Sequence, residues 1–207
     1  VKANWKTCLD AFMEVYHAPT IHKDTVNILL DGNAMAAGLL KNGHSRMVTP
    51  KKMNLDGGFL GAEESDYVPY IETCDKIHAQ TNVAYGMFPN FITPTDTSGY
   101  PAILFWPKGL KETEFEWTQL APNWSGDEKP DYWNEQEVSF DSIMDEDFQN
   151  LEPMQRSHDS GVFVSMPLNY QERRIYYYHQ VIDDWIGRDN LPKNIQVPNI
   201  LDPFIES

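Results

Sequence analysis

Helical periodicity at both ends of the chain and strand-like patterns in its middle constrain the fold more than any other feature. In residues 5–16, apolar side chains recur at spacings of three and four, which predicts a helix that Pro19 ends. Residues 175–185 carry a second apolar stripe of this period, and Gly187 is expected to close that helix. Helices on both sides of an antiparallel β region indicate an α+β fold.

The middle of the chain, residues 81–120, has the character of β structure. Residues 83–88 and 101–106 are short apolar runs, and a proline follows each of them. Residues 112–120 alternate between acidic or polar and aromatic side chains, as in a strand with one wet face. These three segments are predicted to be strands.

Two segments nearer the N-terminus are less regular. Residues 25–46 predict a strand over residues 26–30, then a turn and a second strand. Residues 50–68 show little periodicity and contain a Gly-Gly pair, so we expect a loop or lid there.

The C-terminal part of the chain is predicted to be helical. Ser142 is expected to cap a helix that Gly161 ends, and Pro153 is expected to cause a kink or break near Leu151. Asn169 and Glu172 have the spacing of a capping box, which predicts the start of the last helix.

Length and charge restrict the class of protein. The 207 residues suit a single domain and include 31 Asp and Glu against 16 Lys and Arg, a formal net charge of −15. Such an acidic surface is a poor partner for nucleic-acid phosphates or an anionic membrane. No apolar run approaches the ~18 residues of a membrane span. Cys8 and Cys74 are too few for a disulfide framework and fit a reducing, cytoplasmic setting.

The candidate chemistry lies in residues 10–22. On a continuous helix, Asp10, Glu14 and His17 would share one face, and a loop after Pro19 could return His22 to the His17 ring. Two converging neutral imidazoles form a chelating pair for a metal ion. Glu14 could then orient one imidazole through its other ring nitrogen.

A third ligand is expected among the acidic residues 143–156. One inward-pointing carboxylate there would complete a set of two histidines and one carboxylate, the facial triad of non-haem Fe(II) oxygenases. The alternative is that these acids interact with the helix dipole and that His17 and His22 bind no metal.

Three motifs occur in order along the chain. They are Asn-Trp-Lys at 4–6, Glu-x2-His-x4-His at 14–22, and Glu-Asp-x4-Glu-x2-Gln-Arg at 146–156. Together they resemble the catalytic domain of the Rieske non-haem iron oxygenase α subunits, the aromatic-ring-hydroxylating dioxygenases and their demethylating relatives. The resemblance extends from residue 4 to about residue 186.

The resemblance implies a fold and a set of site residues. The fold would be a helix-grip domain, an antiparallel sheet wrapped around a long C-terminal helix with a deep apolar cavity. His17, His22 and Asp147 would be the iron ligands. Glu14 would occupy the position of the acid that links this iron to the Rieske cluster of a neighbouring subunit.

The resemblance also implies cofactors and partners. Fe(II) would activate O2 to hydroxylate or dihydroxylate an aromatic or related organic substrate, with electrons from NAD(P)H through a reductase or ferredoxin and a Rieske [2Fe–2S] centre. A homotrimer is expected, with or without a β subunit. Asp10, Ala18 and Asn90 are expected near the substrate. Because Cys8 and Cys74 lack the spacing of Rieske ligands, residues 1–207 are expected to be the catalytic domain of a longer chain with an upstream Rieske domain.

Three alternative functions remain open at this point. The same iron could serve an O- or N-demethylating monooxygenase. A helix-grip domain without metal could bind an apolar ligand and catalyse nothing. A zinc hydrolase built on His17, His22 and a carboxylate, with Glu14 as general base, is less attractive because the chain has no His-Glu-x2-His helix.

Overall fold

The computed structural model describes residues 1–52, 71–95, 97, 99–162 and 165–206. Within these ranges the chain forms six α-helices, several 3-10 turns and one seven-stranded sheet. The predicted α+β class is therefore confirmed. Among the helices in these ranges, none has both the length and the apolar character needed to cross a membrane.

Strands β1 to β6 form a meander in which neighbours in sequence are neighbours in space, and β7 pairs with β1 at the other edge. The strand order of the sheet is β6-β5-β4-β3-β2-β1-β7, and all pairs are antiparallel except β1 with β7. The strands are β1 (Ala36–Leu40), β2 (Ser45–Pro50), β3 (Thr81–Met87), β4 (Phe91–Thr95), β5 (Tyr100–Gly109), β6 (Glu112–Leu120) and β7 (Ile205–Glu206).

The helices differ greatly in length. The long helix of the fold is α5 with 29 residues, and α6 has 14. The helices are α1 (Trp5–Asp10), α2 (Ala18–Ile21), α3 (Val26–Leu29), α4 (Lys76–Gln80), α5 (Asp131–Asp159) and α6 (Arg173–Ile186).

The main core lies between one face of the sheet and the buried stripe of α5. Apolar residues of α5 recur at helical spacing and pack with apolar residues of β4 and β5, which removes both surfaces from water. The buried residues of this layer include Ile92, Ile103, Phe105, Phe140, Ile143, Met144 and Leu151.

Arg174 of α6 ties three parts of the fold together. Its guanidinium is fully buried and donates hydrogen bonds to the Ser45 hydroxyl at 3.0 Å, the Met13 carbonyl at 3.1 Å and the Ala84 carbonyl at 3.4 Å. These acceptors belong to β2, to the segment after α1 and to β3. The hydrogen bond to Met13 fixes the backbone directly before Glu14.

The predicted helix over residues 5–16 is wrong in its second half. Helix α1 ends at Asp10, and the carboxylate of Glu14 accepts hydrogen bonds from the backbone N–H groups of Tyr16 and His17. A side chain that captures backbone donors in this way competes with helical hydrogen bonds. Pro19 does not end a helix but lies in the first turn of α2, where its missing N–H has no cost.

The predicted strand at residues 26–30 is also wrong. Val26–Leu29 is the one-turn helix α3, while the second strand of that prediction is found as β1. A short apolar run has no period that separates strand from helix. The predicted lid, residues 50–68, lies outside the described residues apart from its first three positions.

The C-terminal predictions were partly correct. Asn169 and Glu172 form the predicted capping box, and α6 ends at Gly187 as expected. Helix α5 begins at Asp131 rather than at Ser142, and it continues through Pro153. Its earlier start follows from Trp133 and Phe140, which extend the buried stripe of the helix by about three turns.

The strand predictions in the middle of the chain were correct for β3, β5 and β6. Strand β4 was not predicted, because it contains Pro94 and proline argues against a strand interior.

Candidate metal centre

His17 and His22 flank a single helical turn. His17 directly precedes α2 and His22 directly follows it, and the His22 N–H donates to the Ala18 carbonyl at 3.0 Å. The two imidazole centroids lie 5.1 Å apart. A turn of only four residues therefore brings together two rings that are five positions apart in sequence.

Asp147 reaches the two imidazoles from the buried stripe of α5. Its Oδ1 lies 3.1 Å from Nε2 of His22 and 3.6 Å from Nε2 of His17. One ligand atom from each of the three residues lies within 4.8 Å of the others. His22 and Asp147 are buried, and the His17 side chain is one-fifth exposed. Within the described part of the chain, this is the one such group of three.

Both imidazoles have their other nitrogen occupied by a glutamate. Nδ1 of His17 pairs with Oε1 of Glu14, and Nδ1 of His22 donates to Oε2 of Glu146 at 2.6 Å. A carboxylate at Nδ1 favours the tautomer with hydrogen on that atom. The lone pair is then on Nε2, the nitrogen that faces Asp147 in both rings.

Sequence reasoning counted Glu146 among the acids of residues 143–156 but did not predict its contact with His22, and it assigned no role to Thr25. The Thr25 hydroxyl donates to Oε2 of Glu146 at 2.8 Å, so this carboxylate is held by two partners. The contact between Glu146 and His22 could have been predicted from the position of Glu146 directly before Asp147. Consecutive residues of a helix point about 100° apart, so their two carboxylates can reach two sides of one ring.

The local electrostatics act on His22 in opposite directions. Burial lowers the pKa of its imidazole, but hydrogen bonds and negative charge from Asp147, and then from Glu146, outweigh burial and raise the pKa above the ordinary value of 6.5. The environment therefore favours a cation at this position, whether a proton or a metal ion.

The donor set fits a divalent transition metal. Two imidazole nitrogens and one carboxylate oxygen suit Fe(II) with open positions for further ligands. Carboxylates on the distal ring nitrogens are also typical of metal-ligating histidines, because they fix the ring and raise its basicity.

A cavity of about 90 Å³ adjoins these residues. Its floor is the centre of the sheet and one wall is α5. The apolar part of its lining includes Phe12, Met47, Ala84, Ile92, Ile103 and Phe140. A single water needs roughly 10–15 Å³ in this measure, so the cavity has room for several waters or a small organic molecule.

Asp10, Ala18 and Asn90 are not among the residues that line this cavity. Asp10 pairs with His179 of α6 at 2.9 Å, and Ala18 packs in the core. The Asn90 side chain donates to the Phe105 carbonyl at 3.0 Å. A role for these residues in substrate binding stays a prediction.

Fold and site together describe an α+β helix-grip domain with a buried cluster of two histidines and one aspartate beside an apolar cavity. The model of the family described as "Ring hydroxylating alpha subunit (catalytic domain)" matches residues 1–188, and the chain belongs to this family. The family resemblance and the fold inferred from the sequence motifs are thereby confirmed. No curated protein matches the sequence.

Solved structures of the quaternary ammonium Rieske monooxygenase CntA share the fold. The complex with an inhibitor has a TM-score of 0.62 at 16% identity, covering 89% of this chain and 46% of that chain. The complex with its substrate L-carnitine has a TM-score of 0.61 at 15% identity, with the same two coverages. A structure reported for carnitine oxidation by gut microbiota and inter-subunit electron transfer has a TM-score of 0.66 at 15% identity, covering 89% and 48%. The chain therefore spans about half the length of these proteins.

Proposed function

We propose that this chain is an oxygenase domain in which His17, His22 and Asp147 hold one Fe(II) ion. The observation that carries the proposal is the convergence of three ligand atoms within 4.8 Å of one another beside an apolar cavity, with both distal ring nitrogens bound by glutamates. Family membership supports the choice of iron and O2 over zinc and hydrolysis. When bound, the iron supplies the redox chemistry that activates O2.

The residues of the chain supply orientation and a dry environment. Glu14 and Glu146 hold the two imidazoles with Nε2 toward Asp147, so the ligands need little rearrangement when a metal binds. The apolar floor and wall of the cavity would shield the substrate from much of the bulk water, which would limit side reactions.

Electrons are proposed to reach the site from a Rieske [2Fe–2S] centre of a neighbouring subunit, supplied by NAD(P)H through a reductase or ferredoxin. Glu14 is proposed as the acid that links the cluster to the iron. The support is its place in the motif, which resembles that of the bridging acid of the family. A homotrimer, with or without a β subunit, would place the Rieske cluster of one subunit beside the iron site of the next. Inter-subunit electron transfer reported for a structural neighbour supports this arrangement.

The proposed substrate is an organic molecule, aromatic or related, that carries no carboxylate. In the described lining of the cavity, Lys and Arg are absent, so no cationic side chain there can pair with a substrate carboxylate. Dihydroxylation of a ring and monooxygenation, including O- or N-demethylation, are both consistent with this site. The mass of the product distinguishes them, because dihydroxylation adds two oxygen atoms and demethylation removes a methyl group.

Metal binding is the first test. Anaerobic titration with Fe(II) should give one ion per chain, and His17→Ala should lower the affinity at least 100-fold, since a third of the ligand set is lost. His78→Ala is the matched control, because His78 also pairs with an acid three positions away but belongs neither to the ligand cluster nor to the cavity lining. Stoichiometric iron in the His17→Ala protein would refute the ligand assignment.

The reaction is tested separately with isotopically labelled O2. The iron-loaded chain, given electrons from a chemical reductant, should transfer label from O2 into the product of an aromatic substrate such as toluene. Labelled product that forms equally with Asp147→Ala would contradict the proposal.

A further inference from the structure

The cavity contains one pair of neutral polar side chains away from the histidines. Thr49 of β2 and Asn82 of β3 are directly paired in the sheet, next to the pair Met47 and Ala84. All four line the cavity, as the two-residue period of a strand requires. Thr49 and Asn82 therefore lie side by side on the cavity floor.

The Thr49 hydroxyl is buried without a partner. Thr49 is 1% exposed, and its Oγ1 has no hydrogen-bond partner among the described residues. A buried hydroxyl that makes no hydrogen bond has lost its hydration without compensation. Most such groups in folded proteins are paired with protein or with a bound molecule, so this one needs an explanation.

The neighbouring Asn82 has hydrogen-bonding capacity to spare. It is 3% exposed, and its Nδ2 donates to the Thr95 carbonyl at 3.2 Å. A carboxamide has two donors and an acceptor oxygen, so among the described residues an N–H and the oxygen remain for a ligand. Thr49 and Asn82 together offer both donors and acceptors.

We propose that Thr49 and Asn82 recognise one neutral hydrogen-bonding group of the substrate, such as a hydroxyl, a carbonyl or an amide. This inference rests on the proposed oxygenase function and narrows its substrate class. Small uncharged molecules with an apolar body and one such group are favoured over pure hydrocarbons, which would leave the Thr49 hydroxyl unpaired. Anions are disfavoured, because a buried negative charge needs a cationic partner and the described lining contains no Lys or Arg.

Phenol and toluene are the probes, because they have nearly the same shape and differ by a hydroxyl against a methyl group. Phenol is uncharged at pH 7, since a phenolic hydroxyl has a pKa near 10. Affinities for both are measured by calorimetry on the chain after anaerobic incubation with Fe(II), and the phenol-to-toluene affinity ratio is compared between variants. Thr49→Val and Asn82→Leu should each lower this ratio about fivefold, the effect of one neutral hydrogen bond. Thr49→Ser keeps a hydroxyl and should keep the ratio.

Thr93→Val is the matched control. Thr93 is also buried, and its hydroxyl also lacks a partner among the described residues, but it is not part of the cavity lining. It should leave the ratio unchanged, and melting curves establish that each variant is folded. An unchanged ratio in both Thr49→Val and Asn82→Leu would overturn the inference, as would a wild-type chain that binds neither probe.

Iron content is measured on the same samples, which separates the two proposals. A wild-type chain that binds phenol through Thr49 but binds no iron would support the recognition pair and refute the oxygenase. A chain that binds iron, but whose Thr49 and Asn82 variants keep the wild-type phenol-to-toluene ratio, would support the iron site and refute the recognition pair.

Discussion

Glu146 accepts a hydrogen bond of 2.6 Å from Nδ1 of His22, and the next residue, Asp147, lies 3.1 Å from Nε2 of the same ring. One imidazole is thus held between two consecutive carboxylates of α5. The first carboxylate fixes the tautomer and the second faces the nitrogen that would bind a metal.

Glu146→Gln should weaken Fe(II) affinity about 10- to 100-fold, because a neutral amide holds the His22 ring less firmly and makes it less basic. Anaerobic metal titration with the wild-type and variant chains measures the change. Asp145→Asn makes the same chemical change one residue away on an exposed position of α5, and should leave the affinity unchanged. Equal losses in the two variants would show that overall charge, rather than the hydrogen bond to His22, sets the affinity.

At Arg174, the conservative substitution to Lys should destabilise the fold more than the substitution to Met. Burial lowers the pKa of its guanidinium to about 9, so the group is still protonated at pH 7, and its described hydrogen-bond partners are all neutral. Arg174→Lys keeps a buried charge but cannot reach three separate acceptors, and should cost about 3 kcal/mol of stability. Arg174→Met removes the charge together with the donors and should cost less, about 1–2 kcal/mol.

Urea denaturation at pH 7 measures both variants of Arg174. Arg173→Lys is the neighbouring control, because Arg173 is only half-buried and its guanidinium lies over the Tyr170 ring at 4.3 Å. It should change stability by about 0.5 kcal/mol. If Arg174→Met destabilised the protein more than Arg174→Lys, the hydrogen bonds would outweigh the cost of the buried charge.

Alkaline pH should destabilise the fold through Tyr178. Burial, and then the charge of Asp10, raise the pKa of this phenol in the folded protein above the value of 10 that it has when exposed. Its contribution to stability is therefore complete below about pH 10 and is lost as the pH rises further, since the unfolded chain releases the proton first. Tyr178→Phe should make unfolding less sensitive to pH above 10.

The same variant should cost about 1 kcal/mol at pH 7, because the Tyr178 hydroxyl donates to the Pro89 carbonyl at 2.7 Å. Urea midpoints at pH 8 and pH 10.5 separate the two effects. Tyr16→Phe, at an exposed tyrosine, should change neither value. A pH dependence that is identical in Tyr178→Phe and the wild type would assign the alkaline effect to other groups.

Sequence patterns predicted the parts of the fold that have local signals. Alternation identified β6, and the capping box identified the start of α6. The helix over residues 5–16 was wrong because apolar spacing does not reveal that Glu14 binds backbone N–H groups. Strand pairing across the sheet depends on contacts distant in sequence, so the apposition of Thr49 and Asn82 has no local signal.

The spacing of His17 and His22 predicted that their rings lie together, but the local structure that brings them together differs from the predicted one. The shared helix face with Asp10 does not exist, and a one-turn helix presents the rings instead. Choosing Asp147 among neighbouring acids relied on the family resemblance. Helical register offers an independent reason, because Asp147 falls on the same buried stripe as Met144 and Leu151.

Filling the cavity should separate ligand binding from metal binding. Ala84 is 3% exposed at the centre of the cavity floor, on a different structural element from each of the proposed iron ligands. Ala84→Leu adds bulk where a ligand would lie, and should lower toluene affinity at least tenfold while iron stoichiometry stays at one. Ala102→Leu is the control, because Ala102 is half-buried on β5 and is not among the lining residues. Calorimetry and metal analysis measure both quantities. Loss of iron together with toluene would mean that the sheet floor also supports the histidines, whereas unchanged toluene affinity would mean that ligands bind elsewhere.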